Sequence, residues 1–246
     1  MERRTFIKAA SVAAATIAAG ASARDSIAQP VPNSSGTAPP KSKAPANACD
    51  CHHHIYDPAR FPFAPAPGRY PPPSNGTVAD YRLLQKRIGT TRSVVVQQRN
   101  NAVDNAVTVD AVAQLSPNSR GVAVLRPTVT DAELKKLDAG GIRGIRFTLG
   151  DPSSAVVTVD MIEPLAKRIA PLGWHIQLNL SGEQIVERAD LLRGLPTQLV
   201  FDHLGNPPVA QGINHPSHAI IRELVDKGKA WVKLSGAYSN LSLIHI

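Results

Sequence analysis

Gly144-Ile145-Arg146-Phe147-Thr148-Leu149 and Trp174-His175-Ile176-Gln177-Leu178-Asn179-Leu180 flank a helical segment running from Met161 to Ala170. Two short apolar runs bracketing an amphipathic helix form a β-α-β unit, whose strands run parallel because the helix carries the chain back across the sheet. Side chains alternate faces along a strand, so Arg146 points away from Ile145 and Phe147 and shares its face with Thr148.

The same alternation extends in both directions. Upstream, Ala48 to Ile55 reads as a strand, and Val78 to Ile88 as a helix with Thr77 as its cap and Val78, Tyr81, Leu84 and Ile88 at three- and four-residue spacings. Ser93 to Gln97 reads as strand, Asp104 to Leu115 as helix, and Gly121 to Leu125 as a strand closed by Pro127. Thr130-Asp131-Ala132-Glu133 opens the next helix with a capping-box pattern. Downstream come a helix from Gly182 to Leu192, a strand from Gln198 to His203, a helix from His215 to Asp226 and a strand from Ala230 to Leu234. Seven strands with helices after the first six predict an α/β fold, a parallel sheet covered on both faces. Eight such units close a (β/α)8 TIM barrel; fewer give an open doubly wound sheet. No GxGxxG turn follows any strand, which weighs against a dinucleotide site. Gly140-Gly141 and Gly144 read instead as a helix stop and a tight strand entry.

The amino-terminal region has a different character. Met1-Glu2-Arg3-Arg4-Thr5-Phe6-Ile7-Lys8 leads into an Ala-rich apolar run that ends Ala21-Ser22-Ala23. Twin arginines, a short apolar segment and an A-x-A site predict a Tat signal peptide over residues 1–23. The apolar run falls short of the roughly 20 residues that span a bilayer. Export by the Tat machinery to the periplasm or the exterior is therefore expected, with no stable membrane span after cleavage. Residues 24–47, rich in Pro, Ser, Ala and Gln, read as a disordered linker, leaving 48–246 as the folded domain. Arg3, Arg4, Lys8, Arg24, Lys41 and Lys43 against Glu2 and Asp25 give residues 1–47 a net +4, half of the chain's formal +8. The remainder is mildly basic without a Lys/Arg stripe interleaved with aromatics, so nucleic acid is not an expected partner. Cys49 and Cys51, two apart on one strand, are poorly placed for a disulfide and read as small packing residues.

In a barrel the functional groups sit at the carboxyl ends of the strands. On strand one, alternation puts Asp50, His52 and His54 on one face and Cys49, Cys51 and His53 on the other. Strand two ends at Gln97, strand four carries Arg143 and Arg146, and strand five ends with Gln177 and Asn179. Strand six ends Asp202-His203, and strand seven carries Lys233 and Ser235. Imidazoles at such positions can ligate a metal, donate a hydrogen bond to an oxyanion or shuttle a proton. Each residue also has a plainer reading: Arg146 pairing a carboxylate, His203 capping a loop, Lys233 solvated.

Asp-x-His-x-His on strand one, Gly-x-Arg-Gly-Ile-Arg-Phe at strand four and Asp-His-x-Gly on strand six resemble the amidohydrolase superfamily, in the branch of 2-pyrone-4,6-dicarboxylate lactonase and galactarolactone isomerase. Pro171–Gln177 and Val232–Tyr238 are similar to the same branch, and the resemblance spans about Ala48 to Tyr238. It implies hydrolysis or isomerisation of a carboxylated or sugar-acid lactone, with His52, His54 and His203 as catalytic residues. Arg143, Arg146, Asn179 and Gln97 are the corresponding substrate-binding candidates. Asn179 stands where metal-dependent members carry a histidine ligand, so the resemblance implies chemistry that requires no cofactor, the histidines and an arginine polarising the lactone carbonyl. The alternative is a Zn2+- or other divalent-metal-dependent amidohydrolase or decarboxylase with His52, His54 and His203 as ligands.

The resemblance further implies an eighth strand with a Trp-Gly-x-Asp-Trp-Pro type motif, whose aspartate activates water or a substrate hydroxyl. No such motif occurs in the sequence, and Leu241-Ser242-Leu243-Ile244-His245-Ile246 does not read as the expected helix. The expectation is a TIM barrel truncated after about seven strands, poorly soluble or inactive as written. An inactive exported fragment or binding protein is the reading of a different class.

Overall fold

The computed structural model describes residues 40–63, 76–150 and 155–235. The expected leader, most of the linker, residues 64–75 and 151–154 and the segment from Gly236 onward lie outside the described residues.

The elements alternate as the periodicity predicts: β1 (Cys49–His53), α1 (Val78–Ile88), β2 (Arg92–Val96), α2 (Ala106–Gln114), β3 (Ser119–Ala123), α3 (Asp131–Ala139), β4 (Ile142–Thr148), α4 (Ile162–Ile169) and β5 (His175–Asn179). Then follow α5 (Gly182–Glu187), α6 (Ala189–Gly194), β6 (Leu199–Phe201), α7 (Pro216–Asp226) and β7 (Ala230–Val232). All seven strands pair in parallel, in the order β1-β2-β3-β4-β5-β6-β7. Flat, such a sheet would hold its outer strands about 29 Å apart, at roughly 4.8 Å per neighbour. Instead Lys233 Nζ, just past β7, lies 3.2 Å from His52 Nδ1 on β1. The sheet is therefore curled as in a TIM barrel, bringing the ends of its first and last described strands together.

Local chemistry accounts for the helix boundaries. Thr77 and Asp80 close a capping box on α1, Thr130 and Glu133 one on α3, and Ser181 and Gln184 one on α5. Each such cap satisfies amide donors left open by the first turn and contributes about 1 kcal/mol. Gly141 takes up a positive φ of 87° where α3 turns into β4, the helix stop that Gly140-Gly141 predicts.

The main core lies between the sheet and its helices. Ile145, Phe147, Ile176, Leu178, Leu199 and Phe201 on the outer face of the strands meet Ile162, Leu165, Ala166 and Ile169 of α4, Ile185, Leu192 and Leu224, all buried. Pairing Arg146 with Gln177, Val200 and Trp231, and Thr148 with Asn179, fixes which residues share the opposite face. A one-residue slip would exchange the two sets, so core burial also sets the register of the inner polar face.

Three expectations need correction. The helix expected over Gly182–Leu192 breaks at Arg188 into α5 and α6; no residue in the stretch signals the break. Cys49 and Cys51 are exposed rather than packed, because β1 pairs only with β2 among the described residues. Asp50 does not share a face with His52 and His54: the register with β2 shifts between Asp50 and His53, and the Tyr81 hydroxyl of α1 donates to Asp50 Oδ2 at 3.2 Å. His53 stacks flat on the same Tyr81 ring, with centroids 3.6 Å apart.

Candidate active site

Asp202 is the hub of the inner face. It follows β6 and has no exposed surface. Arg146 Nε of β4 donates to its Oδ2 at 3.0 Å, and Gln177 Nε2 of β5 to the same oxygen at 3.1 Å. His52 Nδ1 lies 3.3 Å, and Lys233 Nζ 3.5 Å, from its Oδ1. Lys233 also donates to Gln177 Oε1 at 2.8 Å. Residues from β1, β4 and β5 and from just beyond β7 thus converge on one carboxylate at the end of β6. Burial alone would raise the Asp202 carboxyl, but the positive charges of Arg146 and Lys233 outweigh it and hold the group ionised, below the usual carboxylate range.

The three histidines sit around this hub. His52 and His203 stack with ring centroids 5.4 Å apart, and His52 meets His54 edge-on at 5.0 Å. By strand alternation His203 should face away from Asp202. A left-handed turn with φ of 49° at His203 and 59° at Leu204 swings the imidazole back to the same side. Such a backbone costs of order 1–3 kcal/mol per residue and persists only where its surroundings hold it. Here Leu204 N–H donates to the Lys233 carbonyl at 3.1 Å, and His203 Nδ1 lies 3.1 Å from Ser235 Oγ. Burial lowers all three imidazoles, His54 the furthest, so they are neutral near pH 7. His54 Nδ1 lies 2.7 Å from the Val96 carbonyl. A carbonyl only accepts, so His54 carries its proton on Nδ1 and leaves the Nε2 lone pair free.

Beside the cluster lies a cavity of about 230 Å3 lined by His54, Tyr56, Gln97, Arg99, Arg146 and Asn179, among others. Arg146 links the two: its Nε holds Asp202, and the residue also borders the cavity. Asn179 borders the cavity and accepts from Asn206 Nδ2 at 3.0 Å. Gln97 has its amide fully committed, donating to the carbonyls of Ala102 and Asp104 and accepting from Thr108 Oγ1; it shapes the wall and offers no free polar atom. The structure does not bring Arg143 to the site. It donates to Asp138 Oδ1 at 3.1 Å and to the Asp138 carbonyl, at the opposite end of β4. The signal was in the spacing: Arg143 and Arg146 are three apart, so they face opposite sides of one strand.

Asp202, Gln177 and Lys233 are the members of the cluster that the candidate set left out. Lys233, with a solvated reading in the sequence, is only 8% exposed. Its burial lowers the ammonium, with the Asp202 carboxylate opposing.

His52, Asp202 and His203 present ligand atoms within 4.8 Å of one another, a grouping with the outline of a metal site. As arranged, the donor set is poorly matched to a divalent cation. Arg146 and Gln177 already occupy Asp202 Oδ2, and the Lys233 ammonium faces both Asp202 Oδ1 and His52 Nδ1.

The chain is 34% identical over 198 residues to a 2-pyrone-4,6-dicarboxylate hydrolase of Comamonas testosteroni, covering 80% of this chain and 64% of that protein. It is 27% identical over 206 residues to a D-galactarolactone isomerase of Agrobacterium fabrum, covering 84% and 69%. A solved structure from Agrobacterium tumefaciens superposes with a TM-score of 0.75 at 28% identity, covering 84% of this chain and 72% of that one. The chain spans about two thirds of the length of these curated relatives. The sequence profile of the amidohydrolase family matches residues 49–243, which takes in all seven strands and every member of the Asp202 cluster, and the chain belongs to that family.

Proposed function

We propose that this protein acts on the ester bond of a carboxylated or sugar-acid lactone, by hydrolysis or isomerisation. The observation that carries the reading is Arg146, whose Nε is locked onto buried Asp202 while the residue borders a cavity shared with His54 and Asn179. A guanidinium fixed in this way is suited to bind a carboxylate or to polarise a carbonyl. The relatives named above act on a pyrone dicarboxylate and on a sugar-acid lactone, which supports the substrate class. In this reading His203 and Arg146 hold and polarise the lactone carbonyl, each donor being worth about 3 kcal/mol of transition-state stabilisation, and the free Nε2 of His54 accepts a hydrogen bond from a substrate hydroxyl or water. The family resemblance implies an eighth-strand aspartate as the general base. Attack proceeds at the carbonyl carbon, water giving hydrolysis and a substrate hydroxyl giving the isomeric lactone. No resident cofactor is assigned in this reading. The Tat-type leader assigns the enzyme to the periplasm or the exterior.

The test offers a panel of carboxylated lactones to the full chain and measures both binding and turnover. Arg146→Ala and His203→Ala, with folding confirmed by circular dichroism, should each weaken binding about tenfold or more and reduce any turnover by about a hundredfold or more. Unchanged binding and rates in both variants would overturn the assignment.

A further inference from the structure

Lys233 has no part in the polarisation just described, yet it is the most completely engaged cation of the cluster. An ammonium has three donors and accepts nothing. Three acceptors surround Lys233 Nζ: Gln177 Oε1 at 2.8 Å, His52 Nδ1 at 3.2 Å and Asp202 Oδ1 at 3.5 Å. His52 Nδ1 and Asp202 Oδ1 stand 3.3 Å apart. An N–H on His52 Nδ1 would set a donor against the ammonium, whereas a lone pair there makes both atoms acceptors converging on one positive charge. Two acceptors converging on a buried cation is also the arrangement a divalent metal needs. We infer that Lys233 is a built-in cation that occupies the place of a metal between His52 and Asp202 and fixes His52 with its proton on Nε2.

The consequence is a pair of opposite tautomers on one strand. His52 carries Nε2–H and is a hydrogen-bond donor at that atom. His54, whose Nδ1–H is spent on Val96, is an acceptor at its own Nε2. One neutral imidazole can then donate to a carbonyl oxygen while its neighbour accepts from a hydroxyl or water, without either changing charge first. The backbone of the same lysine also accepts from Leu204 N–H, so one residue positions His52 through its side chain and the His203 turn through its carbonyl. Nothing in this arrangement depends on the substrate being a lactone.

The test uses the full chain carrying Cys49→Ser and Cys51→Ser, so that the exposed thiols do not take up metal. With 15N-labelled histidine, two-bond proton–nitrogen correlations near neutral pH read each tautomer. His52 should be protonated on Nε2 and His54 on Nδ1; a proton on His52 Nδ1 overturns the inference. Zinc titration of the same protein should show no tight site at His52 and His203. Lys233→Met, folded by circular dichroism, should gain one zinc site at least about tenfold tighter, lost again on adding His203→Ala, whereas Lys233→Arg should gain none. Tight zinc binding by the lysine-bearing protein at these histidines, or a folded Lys233→Met without the gain, overturns the inference. Should Lys233→Met not fold, the tautomers and the zinc titration of the lysine-bearing protein decide alone. These readouts are independent of turnover, so failure of the lactone assignment leaves them intact.

Discussion

Arg146 and Asp202, 56 residues apart in sequence, are joined at 3.0 Å between Nε and Oδ2 in the interior of the curled sheet. The pair ties β4 to the end of β6, with Gln177 of β5 between them. Removing one partner of a buried pair leaves the other charge uncompensated, which costs about 3–5 kcal/mol, far more than the pair itself contributes. Asp202→Asn keeps the shape and removes the charge, leaving both Arg146 and Lys233 without a counter-ion. It should lower the urea-unfolding free energy by about that amount, and adding Lys233→Met should recover part of the loss. Additive losses in the double variant would show that the two cations do not share the carboxylate.

His54 separates structure from chemistry within a single ring. Its Nδ1 serves the Val96 carbonyl, and its Nε2 is left for a ligand. Asparagine places an amide N–H close to where Nδ1 sits, whereas glutamine reaches to the Nε2 position. His54→Asn should therefore hold stability to within about 1 kcal/mol of the parent while losing ligand binding, and His54→Gln should lose about 1 kcal/mol more than the asparagine variant. Thermal melts and ligand titrations of the two proteins check this, and equal stability of both would refute the division of roles.

Much of this architecture was legible because it is local. The boundaries of α1 and α3 follow from Thr77 with Asp80 and Thr130 with Glu133, and the inward face of Arg146 from simple alternation. The hub was not legible, because Asp202 acquires its meaning only when the sheet curls and residues from β1, β4, β5 and the end of β7 reach it. The motif points to His203, but its approach to His52 depends on a left-handed turn that no residue type at 203 or 204 announces. Asp50 was misplaced for the converse reason, since a register shift in β1 overrides the two-residue period. Gly144 reads in sequence as a strand entry; a Cβ there would come within 2.5 Å of the His175 ring, so close approach is what demands glycine.

The leader makes a prediction outside the folded domain. If Arg3-Arg4 is a Tat signal, replacing both arginines with lysine preserves charge but removes the recognised pair. Expressed with its own leader in a bacterium that has the pathway, the parent chain should reach the periplasm or medium, and the Arg3→Lys/Arg4→Lys variant should stay in the cytoplasm. Equal export of both, followed by fractionation and immunoblotting, would remove the Tat assignment.

Acid should destabilise the domain well before its carboxylates titrate. Burial pushes the His175 imidazole down to about 4, with the nearby Lys233 charge acting in the same direction, and burial likewise lowers His53 to about 4 against its Tyr81 stack. Unfolded, each returns to about 6.5. Between these values the unfolded chain binds more protons than the folded one, so stability rises with pH across that window. The contribution is fully present above about pH 6.5, falls as pH drops, and is exhausted near pH 4; for His175 alone it is on the order of 3 kcal/mol. Urea unfolding between pH 7 and pH 4 should show this slope, and His175→Met should flatten part of it while leaving the His53 share. A profile with no slope above pH 5 would mean that these imidazoles are not held neutral by the fold.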